Sequence, residues 1–193
     1  MTLDEFIELY DRPGVVVLFF GKRNILLPEA VHVHKLGKLL VSKTQHILFR
    51  SGNAKGADEA FINGVAEVDR VQLVIPWNGH RKSEREGYQF YSLDDLTILN
   101  EDRAAYTAFT NQRNARLVTR YIEGYRDRTR SISAPIIRDA VMVVGHGEIP
   151  PATVALYWDD LSEPETGGTG VTLGFLRINE IAAINQEVWL DWL

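Results

Sequence analysis

The stretch Ser51–Asp58, SGNAKGAD, indicates how this chain folds. It follows the short apolar run His46–Phe49 and leads into apolar residues at helical spacing, among them Phe61 and Val65. A serine and two glycines thus lie where a strand turns into a helix. Free backbone N–H groups at such a turn, together with the positive end of the helix dipole, bind anions. The residues expected to line a phosphate-sized site here are Ser51, Gly52, Ala54, Gly56 and Asp58.

A second glycine-rich loop, Thr166–Gly170 with the sequence TGGTG, lies near the carboxyl terminus. It separates the strand-like run Val154–Trp158 from a helix-like segment, so the same argument applies to it. The residues expected to contribute are Gly167, Gly168, Thr169 and Gly170. Two anion sites in one small chain predict a nucleotide-type ligand, and we expect no cofactor beyond it.

Apolar runs without polar alternation predict a sheet that is buried on both faces. The clearest run is Val15–Phe20. The other predicted strands are Ile47–Phe49, Val71–Ile75, Ala140–Val144, Val154–Tyr157 and a short one near Val188–Trp189. Helices are predicted from about Pro28 to Val41, from the first glycine loop to about Val68, from Leu96 to Tyr125 and from about Gly170 to Ala183, with a loop at Asn78–Asp94. This alternation favours an α/β fold, a doubly wound, mostly parallel sheet with helices on both faces.

Length and composition indicate an ordinary globular protein. The chain has 193 residues, 45% of them hydrophobic and 24% charged, which suits a single domain over residues 1–193 with an elaboration at about 122–150. The 26 acidic and 21 basic residues give a net charge of −5 and no general attraction to nucleic acid or membranes. The absence of cysteine excludes disulfides and thiolate chemistry. Without a secretory signal or a long apolar run, we expect a soluble, cytoplasmic protein with no membrane partner.

Further candidate residues follow predicted strands. Gly21 and Arg23 follow the first strand, and Trp77 follows the third. Because ligands of open α/β sheets bind beyond the carboxyl ends of the strands, these residues and both glycine loops are expected to share one rim. An arginine beside a glycine turn suits bidentate phosphate contact. Each feature also has a simpler interpretation: a glycine loop as a tight turn, Asp58 as a cap for first-turn amides, and Trp77 as a packing residue rather than a base-stacking one.

Two other functions remain open at this point. Cleavage of an N-glycosidic or phosphate bond in a nucleotide requires general acid–base groups, and Asp58, Glu148 and Asp159 are the candidates. Single-stranded nucleic acid is the less favoured partner, because its candidate surface is only the basic cluster of Arg113, Arg116 and Arg120. The five histidines lack metal-ligand spacing, so no metal site is expected.

These motifs resemble the Rossmann-like superfamily that unites DNA-processing protein A (SMF) and the LONELY GUY proteins, in particular its bacterial and phage branches. The resemblance covers most of the chain apart from Ile122–Glu148. The pattern Ser-Gly-x-Ala-x-Gly-x-Asp-x-x-Ala is matched by Ser51, Gly52, Ala54, Gly56, Asp58 and Ala60. Weaker matches are Gly21 with Arg23, Pro76–Trp77, Arg113–Asn114, and the Gly-Gly-x-Gly of Gly167, Gly168 and Gly170.

The resemblance implies a phosphate-binding Rossmann-like fold with a nucleotide or nucleotide-derived ligand, and a homodimer. It does not carry the hydrolase activity over. LONELY GUY proteins have Pro-Gly-Gly-x-Gly-Thr-x-x-Glu, whereas this chain has Thr166 for the proline and Val171 for the threonine, and Leu173 and Gly174 where the glutamate is expected. The leading hypothesis is therefore a sensor or ligand-binding module for nucleotides.

Overall fold

Six parallel strands form the centre of the molecule in a computed structural model, which describes residues 1–99, 102, 106, 112–128 and 130–193. Every neighbouring pair in the sheet is parallel, and the strand order is β4-β3-β2-β1-β5-β6. The strands are β1 Val16–Gly21, β2 Leu48–Ser51, β3 Val71–Ile75, β4 Gln89–Ser92, β5 Val154–Trp158 and β6 Ala183–Ile184. The predicted parallel α/β sheet is confirmed.

Helices cover both faces of the sheet. In the described part of the chain they are α1 Leu3–Tyr10, α2 Leu27–Lys43, α3 Ala57–Gly64, α4 Gln112–Ile122, α5 Arg130–Val144, α6 Gly167–Ile178 and α7 Gln186–Trp189. Successive side chains of β1 point to opposite faces, so Phe19 packs in one core cluster with residues of α2 and α3, while Leu18 packs in a second with residues of α5 and α6. The doubly wound arrangement is confirmed. None of the described helices is long and apolar enough to cross a membrane.

Several predicted elements differ from the structure. The predicted strand Ala140–Val144 is wrong, because these residues are the last turns of α5. An apolar run of five residues predicts a strand, but α5 is buried around most of its circumference, and periodicity does not separate a buried helix from a buried strand. The predicted strand near Val188–Trp189 is likewise helical. β4 lies within the segment predicted as a loop.

Helix boundaries also shift. Pro28 lies in the first turn of α2, as predicted, whereas α3 ends at Gly64, earlier than expected. The predicted helix from Leu96 to Tyr125 is confirmed only over α4; residues 96–99 are not helical, and its alanines at 104, 105 and 108 lie outside the described residues. α6 begins at Gly167, within the second glycine loop rather than after it. That loop is therefore the first turn of a helix.

The order of the strands creates a crevice. β1 pairs with β2 on one side and with β5 on the other, so chain connections leave β1 and β5 in opposite directions across the sheet. The carboxyl ends of these two strands carry Gly21 and Trp158, which lie opposite each other in the register. Open α/β sheets bind ligands at such a switch point.

Candidate functional site

A cleft of about 700 Å³ opens at this switch point. Four parts of the chain form its walls: the loop after β1, the loop after β2, one side of α5, and the first turn of α6. Asn114 of α4 also reaches the cleft, and this residue belongs to the Arg-Asn pair of the sequence resemblance. The volume is in the range of pockets that bind small molecules and cofactors.

The structure brings many of the predicted site residues together at this cleft. Those that line it are Gly21, Arg23, Ala54, Asp58, Gly167, Gly168 and Thr169. Those that do not line it are Ser51, Gly52, Gly56, Trp77 and Gly170. The loops after β1, β2 and β5 thus share one rim, as expected from their positions after parallel strands. That these residues bind a ligand stays a prediction.

The first turn of α6 supplies backbone donors to the cleft. The N–H groups of Gly168 and Thr169 donate to no acceptor in the described part of the chain, as is usual for the first turn of a helix. Thr166 is the N-cap residue, and its hydroxyl accepts a hydrogen bond from the Lys22 ammonium group. Gly170 has a different role, because a Cβ there would collide with the carbonyl oxygen of Glu165. A Cβ on Gly168 would make only a van der Waals contact, 3.9 Å from Oδ2 of Asp139, and Gly168 is exposed, so its backbone is accessible from the cleft.

The loop at Ser51–Asp58 differs from the predicted anion site. The Asp58 carboxylate accepts hydrogen bonds from the N–H groups of Gly52, at 3.2 Å, and Ala54, at 3.4 Å. The expectation that Asp58 caps the first-turn amides of its helix is therefore wrong; it reaches back to the preceding loop. Two amides that were predicted to be free for an anion are occupied by the chain's own carboxylate. Gly56, at φ +85°, lets the loop pass close to the carbonyl oxygen of Arg23.

A buried ion pair, Arg138 with Asp139, lines the cleft beside Asp58. The Arg138 Nε atom lies 2.8 Å from Oδ1 of Asp139, and Nη1 of Arg138 donates to the Gly52 carbonyl oxygen. Both residues are only 6% exposed. Neither residue was predicted from the sequence, because both directly precede the apolar run that was assigned to a strand. The one available signal was an Arg-Asp pair placed against an otherwise apolar segment.

Burial changes the protonation behaviour of both carboxyl groups. It raises the pKa of Asp139 to about 6, with Arg138 acting in the opposite direction and the nearby Asp58 adding to the rise. Burial also raises the pKa of Asp58, against the effects of Arg138 and the amides of Gly52 and Ala54. Carboxyl groups with pKa values near neutrality occur preferentially at functional sites. Asp139, with a pKa near neutrality, is thus suited to hold or release a proton in this cleft.

The other proposed acid–base candidates lie outside the cleft. Asp159 is buried, accepts the N–H groups of Asp160 and Glu165, and lies 3.7 Å from the Lys22 ammonium nitrogen. These contacts stabilise the turn between β5 and α6. Glu148 is exposed in the turn before β5.

Trp77, Arg116 and Arg120 also lie outside the cleft lining. Trp77 packs with its ring centroid 5.0 Å from that of His80 and 5.9 Å from the Arg130 guanidinium carbon. Arg116 and Arg120 are exposed on α4, and Arg120 pairs with Asp127 at 2.7 Å. The side chain of Arg113 lies outside the described residues.

Comparison with known proteins finds little sequence similarity. No protein-family model matches the chain, and no curated protein matches it. A solved structure of DNA processing protein A from Helicobacter pylori, described for its single-stranded DNA binding mode, aligns with a TM-score of 0.48 and 14% identity. The alignment covers 90% of this chain and 65% of that one, so this chain spans less than two thirds of that protein. Membership of the DNA-processing or LONELY GUY family stays a prediction.

Proposed function

We propose that this protein binds a nucleotide or nucleotide-derived phosphate ligand in the switch-point cleft, as a sensor or ligand-binding module. The observation that carries this proposal is the first turn of α6, where the N–H groups of Gly168 and Thr169 face a cleft large enough for a nucleotide. A helix of 12 residues presents partial positive charge at this end. A phosphate group held there would accept both hydrogen bonds.

The cations around the cleft support the same ligand. Arg23 is exposed, lines the cleft, and forms no salt bridge with any residue that the structure describes. A guanidinium group in this position suits bidentate contact with phosphate. Lys22 places a second cation at the start of α6 through its hydrogen bond to Thr166. Three carboxyl groups that line the cleft oppose these cations, those of Asp58, Asp139 and Asp160. Asp58 and Asp139 lie beside Arg138, and Asp160 interacts with Lys22, so these cations offset part of the negative charge.

Calorimetric titration tests this proposal. Nucleoside mono-, di- and triphosphates, ADP-ribose and NAD are titrated into the wild-type protein and into Gly168→Asp. We expect Gly168→Asp to weaken binding at least tenfold, because its carboxylate would occupy the position of the phosphate. His32→Asp adds the same charge at an exposed position of α2 outside the cleft lining and is the matched control. Equal affinity in Gly168→Asp and the wild type would contradict the site.

A second candidate function is hydrolysis of a nucleotide, and the observation that favours it is the pKa of Asp139, about 6. This value suits a general acid or base at neutral pH. Cleavage of an N-glycosidic bond would add the hydroxyl of water to the ribose carbon and a proton to the departing base. Incubation of nucleotides with the protein, followed by chromatography for free base and phosphate, tests this function. Absence of both products at high protein concentration contradicts it.

A third candidate function is binding of single-stranded nucleic acid, favoured by the surface around α4. Tyr125 is 53% exposed, and the Arg120 guanidinium carbon lies 4.7 Å from its ring centroid. Single strands bind to surfaces that combine aromatic rings with cations. A gel-shift assay with labelled single-stranded DNA at two salt concentrations tests this function, with Arg120→Ala as the variant. Binding that falls steeply with salt and weakens in the variant supports it, whereas absence of a complex at low salt contradicts it.

A further inference from the structure

Asp139 lies beside the place that a bound phosphate would occupy. Its Oδ2 atom is 3.9 Å from the position that a Cβ on Gly168 would take, so it faces the first turn of α6. Its other oxygen, Oδ1, is paired with Arg138. An anion at the amides of Gly168 and Thr169 would therefore approach a carboxyl group whose side chain is only 9% exposed and has little access to water to screen its charge.

We propose that the cleft binds its anionic ligand together with one proton, and that the Asp139 carboxyl group holds this proton. This inference rests on the proposed function. A protonated Asp139 removes the repulsion and supplies an O–H donor to an oxygen of the ligand. A charged Asp139 would oppose the same ligand, so this residue makes the affinity of the cleft depend on pH.

The charged groups that face Asp139 explain why the proton belongs there. Asp58, from the start of α3, accepts two backbone N–H groups, and these stabilise its charged form. Asp139 has no such amide donors in the described part of the chain; its charged form is favoured by Arg138 on its own helix and, to a smaller extent, by Arg23 after β1. Of the two neighbouring carboxyl groups, Asp139 is therefore the better proton carrier.

The expected effect is a loss of affinity as the pH rises. With a pKa of about 6 in the free protein, the apparent Kd should increase about 50-fold between pH 6 and pH 8 if binding requires the proton. The probe is ADP-ribose, whose diphosphate group does not titrate in this range, and inorganic sulfate is the second probe. At pH 7, calorimetry in two buffers of different ionisation enthalpy should show uptake of close to one proton per ADP-ribose bound.

The variant that tests the proposal is Asp139→Asn, which imitates the protonated carboxyl group in size and charge. We expect it to bind ADP-ribose at pH 8 within about threefold of the wild-type affinity at pH 6, with no remaining pH dependence. Circular dichroism establishes that the variant is folded. The measurement of proton uptake uses the wild-type protein alone, so it tests the proposal even if the variant does not fold. Wild-type binding that is equally tight at both pH values, or without proton uptake, overturns this inference and leaves the proposed site intact. Absence of binding by both probes at every pH contradicts the proposed site itself.

Discussion

Replacement of Asp139 by asparagine should stabilise the protein, and increasingly so as the pH rises. Burial raises the pKa of this carboxyl group from its ordinary value of 3.8 to about 6. The folded state therefore holds the proton more tightly than the unfolded state does. The stabilisation from this proton is complete below about pH 4 and is lost as the pH rises towards the folded pKa of about 6. Asparagine keeps the neutral form at every pH.

The magnitude follows from the two pKa values. At about 1.4 kcal/mol for each tenfold change in proton affinity, the charged Asp139 costs the folded state about 3 kcal/mol at pH 7.5 and about 1 kcal/mol at pH 4.5. The free energy of unfolding of Asp139→Asn relative to the wild type should therefore rise by about 2 kcal/mol over this range. At pH 7.5 the full difference corresponds to an increase in Tm of about 6–12 °C for a chain of this size.

Urea unfolding followed by tryptophan fluorescence measures this difference, because Trp158 and Trp189 are buried in the core. Asp191→Asn removes one negative charge from an exposed position and is the matched control. If the difference in the free energy of unfolding between Asp139→Asn and the wild type stays constant from pH 4.5 to pH 7.5, whatever its size, this prediction is wrong. A constant difference would show that Asp139 is charged in the folded protein across the whole range.

Three further predictions concern stability and binding. Gly170→Ala should lower the free energy of unfolding by about 2 kcal/mol or more, because the new methyl group meets the backbone of Glu165. The methyl group of Gly168→Ala would make only an ordinary contact with Asp139, so this variant should be neutral within about 1 kcal/mol in thermal unfolding. Arg50→Met should lower the free energy of unfolding, measured in urea, by about 2–4 kcal/mol. The buried guanidinium group donates hydrogen bonds to two backbone carbonyl groups and to a glutamine side chain, and these acceptors would lose their donors. Arg23→Ala should weaken ADP-ribose binding at least tenfold in calorimetry and leave Tm unchanged, because the side chain is exposed; unaltered affinity would exclude it from the site.

Local patterns were sufficient to predict the sheet. Val15–Phe20 is apolar at every position because β1 is covered on both faces, and a strand of this kind occurs in a parallel sheet with helices on each side. The positions of Gly21, Gly52 and Gly168 after predicted strands were likewise sufficient to place their loops on one rim. The same kind of local pattern led to the wrong prediction of a strand at Ala140–Val144. A helix that is buried around most of its circumference has no polar face, so its sequence lacks the alternation of apolar and polar residues that indicates a helix.

The alternation of strands and helices and the glycine-bearing turns after the strands could be predicted from the sequence, since both depend on residues that are neighbours along the chain. Which backbone amides remain available, and which carboxyl group is buried beside them, depends on the three-dimensional packing of the chain. Asp58 occupies the amides of the first loop, and Asp139, 81 positions further along the chain, is brought next to Asp58 and to the start of α6. Whether a polar group has a hydrogen-bond partner, and how far it is removed from water, depends on the residues that pack around it in space. These properties cannot be predicted from a local sequence pattern.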